Sequence, residues 1–224
     1  MNKPNNRCMI ERFLNWMFDY GSAFLLFPLA MAVWRYKYLT HELVYVAAFL
    51  GLSLLGELVA TVLSALGINN LFVLHFYTML EFSLIALFYQ RFFGGYYPRW
   101  FVPTLLVVFI AFAVINLLFI QSLSEFNTYA RGLEGLLTIV LAMMCFYKML
   151  MELESKRPEK HPVFWINAGY LFYFAGSLFL FILSNVVLKE NKSFNFMFWG
   201  FHACLFALMH LFIGIGLWYS PRQN

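Results

Sequence analysis

Long apolar runs alternate with short polar breaks along the chain, and the runs have the length of membrane spans. A helix crossing a bilayer needs about 20 mostly apolar residues. Three runs meet that length with no charged residue, at 100–124, 162–188 and 193–221. The stretch 43–89 is broken once, by the turn signal Gly67-Ile68-Asn69-Asn70, and each half is long enough to cross, which predicts a helical hairpin. A further span covers 129–151, with Glu134 inside it and Arg131 and Lys148 bracketing its apolar middle. The first segment, 13–34, follows Lys3, Arg7 and Arg12 and ends in Ala30-Met31-Ala32, as a cleaved signal peptide would. Glu11 and Asp19 dilute that positive flank, and Trp34, Tyr36 and Tyr38 make an interfacial anchor, so we read it as a retained span. The pattern predicts an all-α polytopic transmembrane helical bundle. It is one integral membrane domain over 1–224, with seven spans near 13–34, 43–66, 71–91, 100–122, 129–151, 163–188 and 195–219.

Composition agrees with this pattern. Of 224 residues, 62% are hydrophobic and 12% charged, against about 45–50% and 25% in soluble domains. The 28 phenylalanines are more than one small globular core could hide, whereas lipid solvates them without cost. All six tryptophans, Trp16, Trp34, Trp100, Trp165, Trp199 and Trp218, fall near predicted span ends, where amphipathic rings prefer the headgroup region. The net charge of +4 is spread over short loops without a block of like charges, which speaks against a nucleic-acid partner. Cys8, Cys145 and Cys204 have no CxxC spacing, so neither a disulfide framework nor a zinc knuckle is indicated. Lys and Arg number nine on the side of the first, third and fifth loops and the C-terminus, against six on the other side. The positive-inside rule then places the N-terminus outside and the C-terminus inside, while the basic flank of the first segment, as a signal anchor, argues the reverse.

Ionisable groups at membrane depth cost about 2.5–3.5 kcal/mol on insertion scales, so each calls for a role. Glu57 and Glu81 each lie about eleven or twelve residues along their own helix from the 67–70 turn, which places both near mid-membrane at similar depth. Ser53, Glu57, Thr61 and Ser64, with Gly56 and Ala60 beside them, share one narrow face that should point into the bundle. Tyr77, Thr78 and Glu81 share a face of the third span, from which His75 diverges. The two glutamates are either protonated, hydrogen-bonded packing residues or a carboxylate pair that shares a proton or holds a cation. His202 and His210 stand about two turns apart on roughly one face of the last span. No HxxH, HxxxH or HExxH spacing occurs, so no metal and no cofactor is expected. Arg131, Glu134 and Thr138 have the spacing of a local ion pair and read as an interfacial anchor. In the sixth span Tyr170, Tyr173, Ser177 and Ser184 lie on one side, and Ala168, Gly169, Ala175 and Gly176 form a small-residue repeat; both features suit tight packing, and lining a pocket is the alternative for the tyrosines. No P-loop, GxSxG or dinucleotide motif is present.

The phrases GINNLFVLHFYTMLEF at 67–82 and PVFWINAGY at 162–170 resemble a group of small uncharacterised seven-span bacterial membrane proteins. The likeness covers most of the chain; it implies the fold but no activity, and the expected location is the bacterial cytoplasmic membrane. A weaker comparison is with the ceramidase-like seven-span intramembrane hydrolases, which hold zinc through histidines and a carboxylate. That likeness would make His75, Glu81, His202 and His210 the ligands, although the family's HxxxH in the last span is missing here. The candidate site is therefore an intramembrane polar cluster of Glu57, Glu81, His75, Tyr77, His202 and His210. The expected function is a membrane sensor or partner-regulating protein, with membrane lipid around it and a separate signalling partner or a second copy beside it. A proton- or cation-coupled carrier is the alternative, and a metal-dependent hydrolase comes after it.

Overall fold

The computed structural model describes residues 6–152, 157–187, 189 and 192–220, which form eight α-helices and no strand. Lys3, Lys156 and Arg222, counted in the charge asymmetry, lie outside the described residues. Helices α1 (Asn6–Tyr20) and α2 (Leu26–Trp34), joined by a 3-10 turn at Gly21–Leu25, make the first crossing. The others are α3 (His41–Ala65), α4 (Leu71–Phe93), α5 (Phe101–Ile115), α6 (Thr128–Glu152), α7 (Pro162–Val187) and α8 (Lys192–Trp218). Seven helical segments among the described residues are long and apolar enough to cross a membrane. Their bounds agree with the sequence expectation to within a few residues. The chain is an integral membrane protein built as an all-α bundle, with Leu55, Leu58, Val62, Phe119 and Phe179 among the large apolar side chains on its outer surface.

Local chemistry explains where these helices stop and turn. Pro28 has no N–H to give to the Phe24 carbonyl, and the chain takes a tighter 3-10 turn just ahead of it. Between α3 and α4, Gly67 has φ +70, and the amides of Gly67 and Ile68 bond the carbonyls of Ser64 at 3.0 Å and Leu63 at 2.9 Å. This is a Schellman stop, in which a left-handed residue closes the helix. Asn69 Oδ1 then accepts the Leu71 amide at 2.8 Å, while the Asn70 side chain donates back to the Ala60 carbonyl at 3.1 Å. After α5 a π-turn spans Asn116–Ile120, where the Asn116 amide donates to Gln121 at 3.1 Å and to Asn127 at 3.0 Å. That network ties the end of α5 to the start of α6 and gives the buried Asn116 side-chain nitrogen two acceptors away from water.

In the small-residue repeat of α7, Gly169 and Gly176 pack closely against α8, while Ala175 is exposed. A Cβ on Gly169 would come within 3.1 Å of the Met209 carbonyl of α8, so the two helices approach closely at this glycine. The half of the bundle remote from the 67–70 turn, called here the far half, is filled by Phe49, Leu50, Ile85, Phe88, Tyr89 and Tyr170, all fully buried. Tyr89 donates to Asn167 Oδ1 at 2.7 Å, and Asn167 donates in turn to the Ala142 carbonyl of α6 at 3.0 Å. At the far surface Arg35 donates to the Trp218 carbonyl at 2.8 Å and lies 5.0 Å from the Trp34 ring, fastening the first crossing to α8. The near half, by contrast, is incompletely filled. There α1 packs on α8, the matching half of α3 packs on α4, and α3 meets the first crossing chiefly through Gly21–Leu25 and α2.

Candidate functional site

The incompletely filled near half holds a cavity of about 560 Å³. Glu57, Ser53, Gly56 and Ala60 of α3 form one wall, and Tyr77, Leu74 and Asn70 belong to the adjoining hairpin arm. Tyr173 of α7 and Trp199, His202 and Phe206 of α8 form the opposite wall, with Phe18 and Ser22 of the first crossing at the rim and Arg131 of α6 at the side. A smaller space of about 90 Å³ adjoins it between Arg131, Phe181, Ser184 and His202. Depth along the helices accounts for these positions: residues of each helix within about half its length of the near surface contribute, and those beyond fall in the packed aromatic layer.

Arg131 organises the charges. Its guanidinium forms an ion pair with Glu81 of α4 and another with Glu134 of its own helix, the latter at 2.7 Å. Glu81 and Glu134 are 2% and 0% exposed, so both carboxylates depend on this guanidinium. The local Arg131–Glu134 pair is as expected from spacing, but it is buried and not an interfacial anchor, and the Arg131–Glu81 pair beside it bridges α6 to α4. The correction has a geometric cause: Arg131 lies one turn into α6, and its side chain turns inward to Glu81 beneath the Phe181 ring, 4.6 Å away. Tyr77 joins the cluster, its hydroxyl lying 3.4 Å from Glu81 Oε1 and 3.1 Å from Ser53 Oγ, which donates to the Phe49 carbonyl at 3.0 Å.

Glu57 stands apart from this network. Its side chain is exposed to the cavity and has no hydrogen-bond or ion-pair partner among the described residues. The expected pairing of Glu57 with Glu81 is thus replaced by pairing of Glu81 with Arg131, because a guanidinium from α6 compensates a buried carboxylate better than a second carboxyl would. The small polar face of α3 also differs from expectation beyond Glu57, since Thr61 and Ser64 are exposed. Little packs on that part of α3 except α4, where Gly56 meets the Tyr77 ring.

The three histidines separate. His202 lines the cavity, 3.1 Å from the Tyr173 hydroxyl. His75 is buried with Nε2 3.3 Å from the Glu125 carbonyl, fixing α4 to the segment ahead of α6. His210 bonds the Phe206 carbonyl at 2.8 Å and stacks on Phe49 in the packed half. Of the sequence candidates, Glu57, Tyr77 and His202 therefore share the cavity wall and Glu81 lies directly behind it, whereas His75 and His210 serve packing. The zinc set implied by the ceramidase-like resemblance does not converge, and no group of three or more His, Cys, Asp or Glu is placed to hold a metal among the described residues. Arg131 is the site residue whose part the sequence did not suggest, whereas Tyr173 lines the cavity as one of the two expectations for the sixth-span tyrosines. The signal for Arg131 was a full positive charge one turn inside a span, at the same end of the bundle as Glu81's helix start.

No family model matches the chain, and no curated protein or solved structure matches it either.

Proposed function

We propose that the protein is a membrane-embedded receptor, in which a small amphipathic ligand occupies the near-half cavity and alters the lateral contacts of the bundle with a separate signalling partner or a second copy of the chain. The observation that carries this reading is a cavity of about 560 Å³ with polar groups on apolar walls, the size and lining of a small-molecule site. Its lining residues come from the near half of the bundle, while Phe49, Tyr89 and Tyr170 fill the far half. The bacterial cytoplasmic membrane is the location that goes with this reading.

Native mass spectrometry of protein purified in mild detergent tests it. The expected result is a co-purifying amphiphile that is absent from Ala60→Phe, whose ring would fill the cavity from a helix with little packed behind it. Protein that carries no such mass, and that no amphiphile from a lipid extract stabilises, would defeat the receptor reading.

One observation favours the carrier as a second reading. The buried cluster sets two carboxyl groups against one guanidinium, which leaves room for a coupling proton. A carrier would move protons with its substrate in reconstituted vesicles, and a receptor would not. The hydrolase reading has no support from the geometry, since its four candidate ligands hold separate partners.

A further inference from the structure

The receptor reading does not say what chemistry fills the cavity, and three features of its wall bear on that. The first is charge. Arg131, the guanidinium at the cavity wall, is already matched by Glu81 and Glu134, whereas Glu57 has no partner among the described residues. The unmatched charge in the wall is therefore negative, and an occupant that offsets it brings a positive one. The second is the remainder of the lining. Phe18, Tyr77, Tyr173, Trp199 and Phe206 present aromatic surface, whose ring faces attract cations and whose area suits an apolar body. The third is access. Because α1 packs along α8 and the near half of α3 packs along α4, the gap between α1 and α3 faces the bilayer beside exposed Leu55, Leu58 and Val62.

We propose that the ligand is a lipophilic ammonium cation that enters sideways from the membrane between α1 and α3 and seats its charged nitrogen against the Glu57 carboxylate. This rests on the receptor reading and names the ligand class of that same site. Glu57 is the counter-ion, and the aromatic rings hold the apolar body. Arg131 takes no direct part; its two carboxylates keep it from repelling the cation. An anionic amphiphile meets the opposite situation, with Glu57 facing its head and no free guanidinium to receive it.

The test uses the full-length protein in nanodiscs of zwitterionic lipid, titrated calorimetrically with decylammonium, decanol and decanoate, with the heat of empty nanodiscs subtracted. The tails are equal, so differences report the head group. Decylammonium should bind at least tenfold tighter than decanol, and decanoate weakest. Glu57→Gln should erase the preference and leave decanol binding unchanged, and Glu57→Asp should keep the order. Equal or stronger binding of decanol or decanoate by the wild-type protein would overturn the cation inference while leaving a ligand site in place, and so would a preference that persists in Glu57→Gln. The wild-type order stands without any variant, so a misfolded substitution does not remove the test. No heat from any of the three, combined with no co-purifying amphiphile, would count against the receptor reading itself.

Discussion

At the residue scale the decisive group is Arg131, since among the described residues its guanidinium is the cation paired with two carboxylates that are almost fully buried. Removing one partner of a buried ion pair costs about 3–5 kcal/mol, because the other charge stays behind without compensation. Arg131→Ala leaves two such charges, so it should destabilise the bundle by at least that range, seen as a large drop in melting temperature in detergent. Arg131→Lys should recover only part of the loss, because an ammonium lacks the planar fork that reaches two carboxylates at once. A melt indistinguishable from wild type would show that the cluster does not hold α4 to α6. Glu57→Gln is the contrasting case. With no partner to lose, it should change stability by no more than about 0.5 kcal/mol, whereas a structural carboxyl pair with Glu81 would make it costly.

At the element scale the far half is the closely packed part of the molecule and the near half the incompletely filled one. Asn167 links three helices there, accepting from Tyr89 of α4 and donating to the Ala142 carbonyl of α6. Asn167→Leu keeps the volume roughly constant but strands both partners away from water. It should cost about 1–3 kcal/mol for each group left without a hydrogen bond. Thermal unfolding of Asn167→Leu beside Asn167→Asp, which retains the acceptor for Tyr89, separates the two bonds. Where α3 and α1 face one another across the near half, no comparable link occurs among the described residues. The same substitution strategy on α3 at Thr61 or Ser64, both exposed, should leave unfolding unchanged.

At the scale of the whole molecule, the alternation of seven crossings puts Gly94 and Arg157 on one side of the membrane and the 67–70 turn on the other. With the basic excess on the Gly94 side, reporter fusions after Gly94 and Arg157 should both read cytoplasmic and one after Asn69 external. Fusions at Gly94 and Arg157 that read external would reverse the orientation and place the cavity in the cytoplasmic half of the bundle. The number and limits of the crossings were legible in the chain because lipid acts on each segment separately: a run of about 20 apolar residues is stable across the bilayer whatever its neighbours do. The 67–70 turn, the α7 repeat and the Arg131–Glu134 spacing were legible for the same reason, since each depends on residues within a few turns of one another. The partner of Glu81 was not, because it comes from a helix about fifty positions further on and nothing in the spacing of α4 specifies which neighbour faces it. The dispersal of His75, His202 and His210 was likewise decided by helix rotation and depth, which follow from packing at Gly169 and around Asn167. The cavity is the clearest case. It is set by where α1 and α3 fail to meet, and a gap between helices leaves no mark on the sequence of either one.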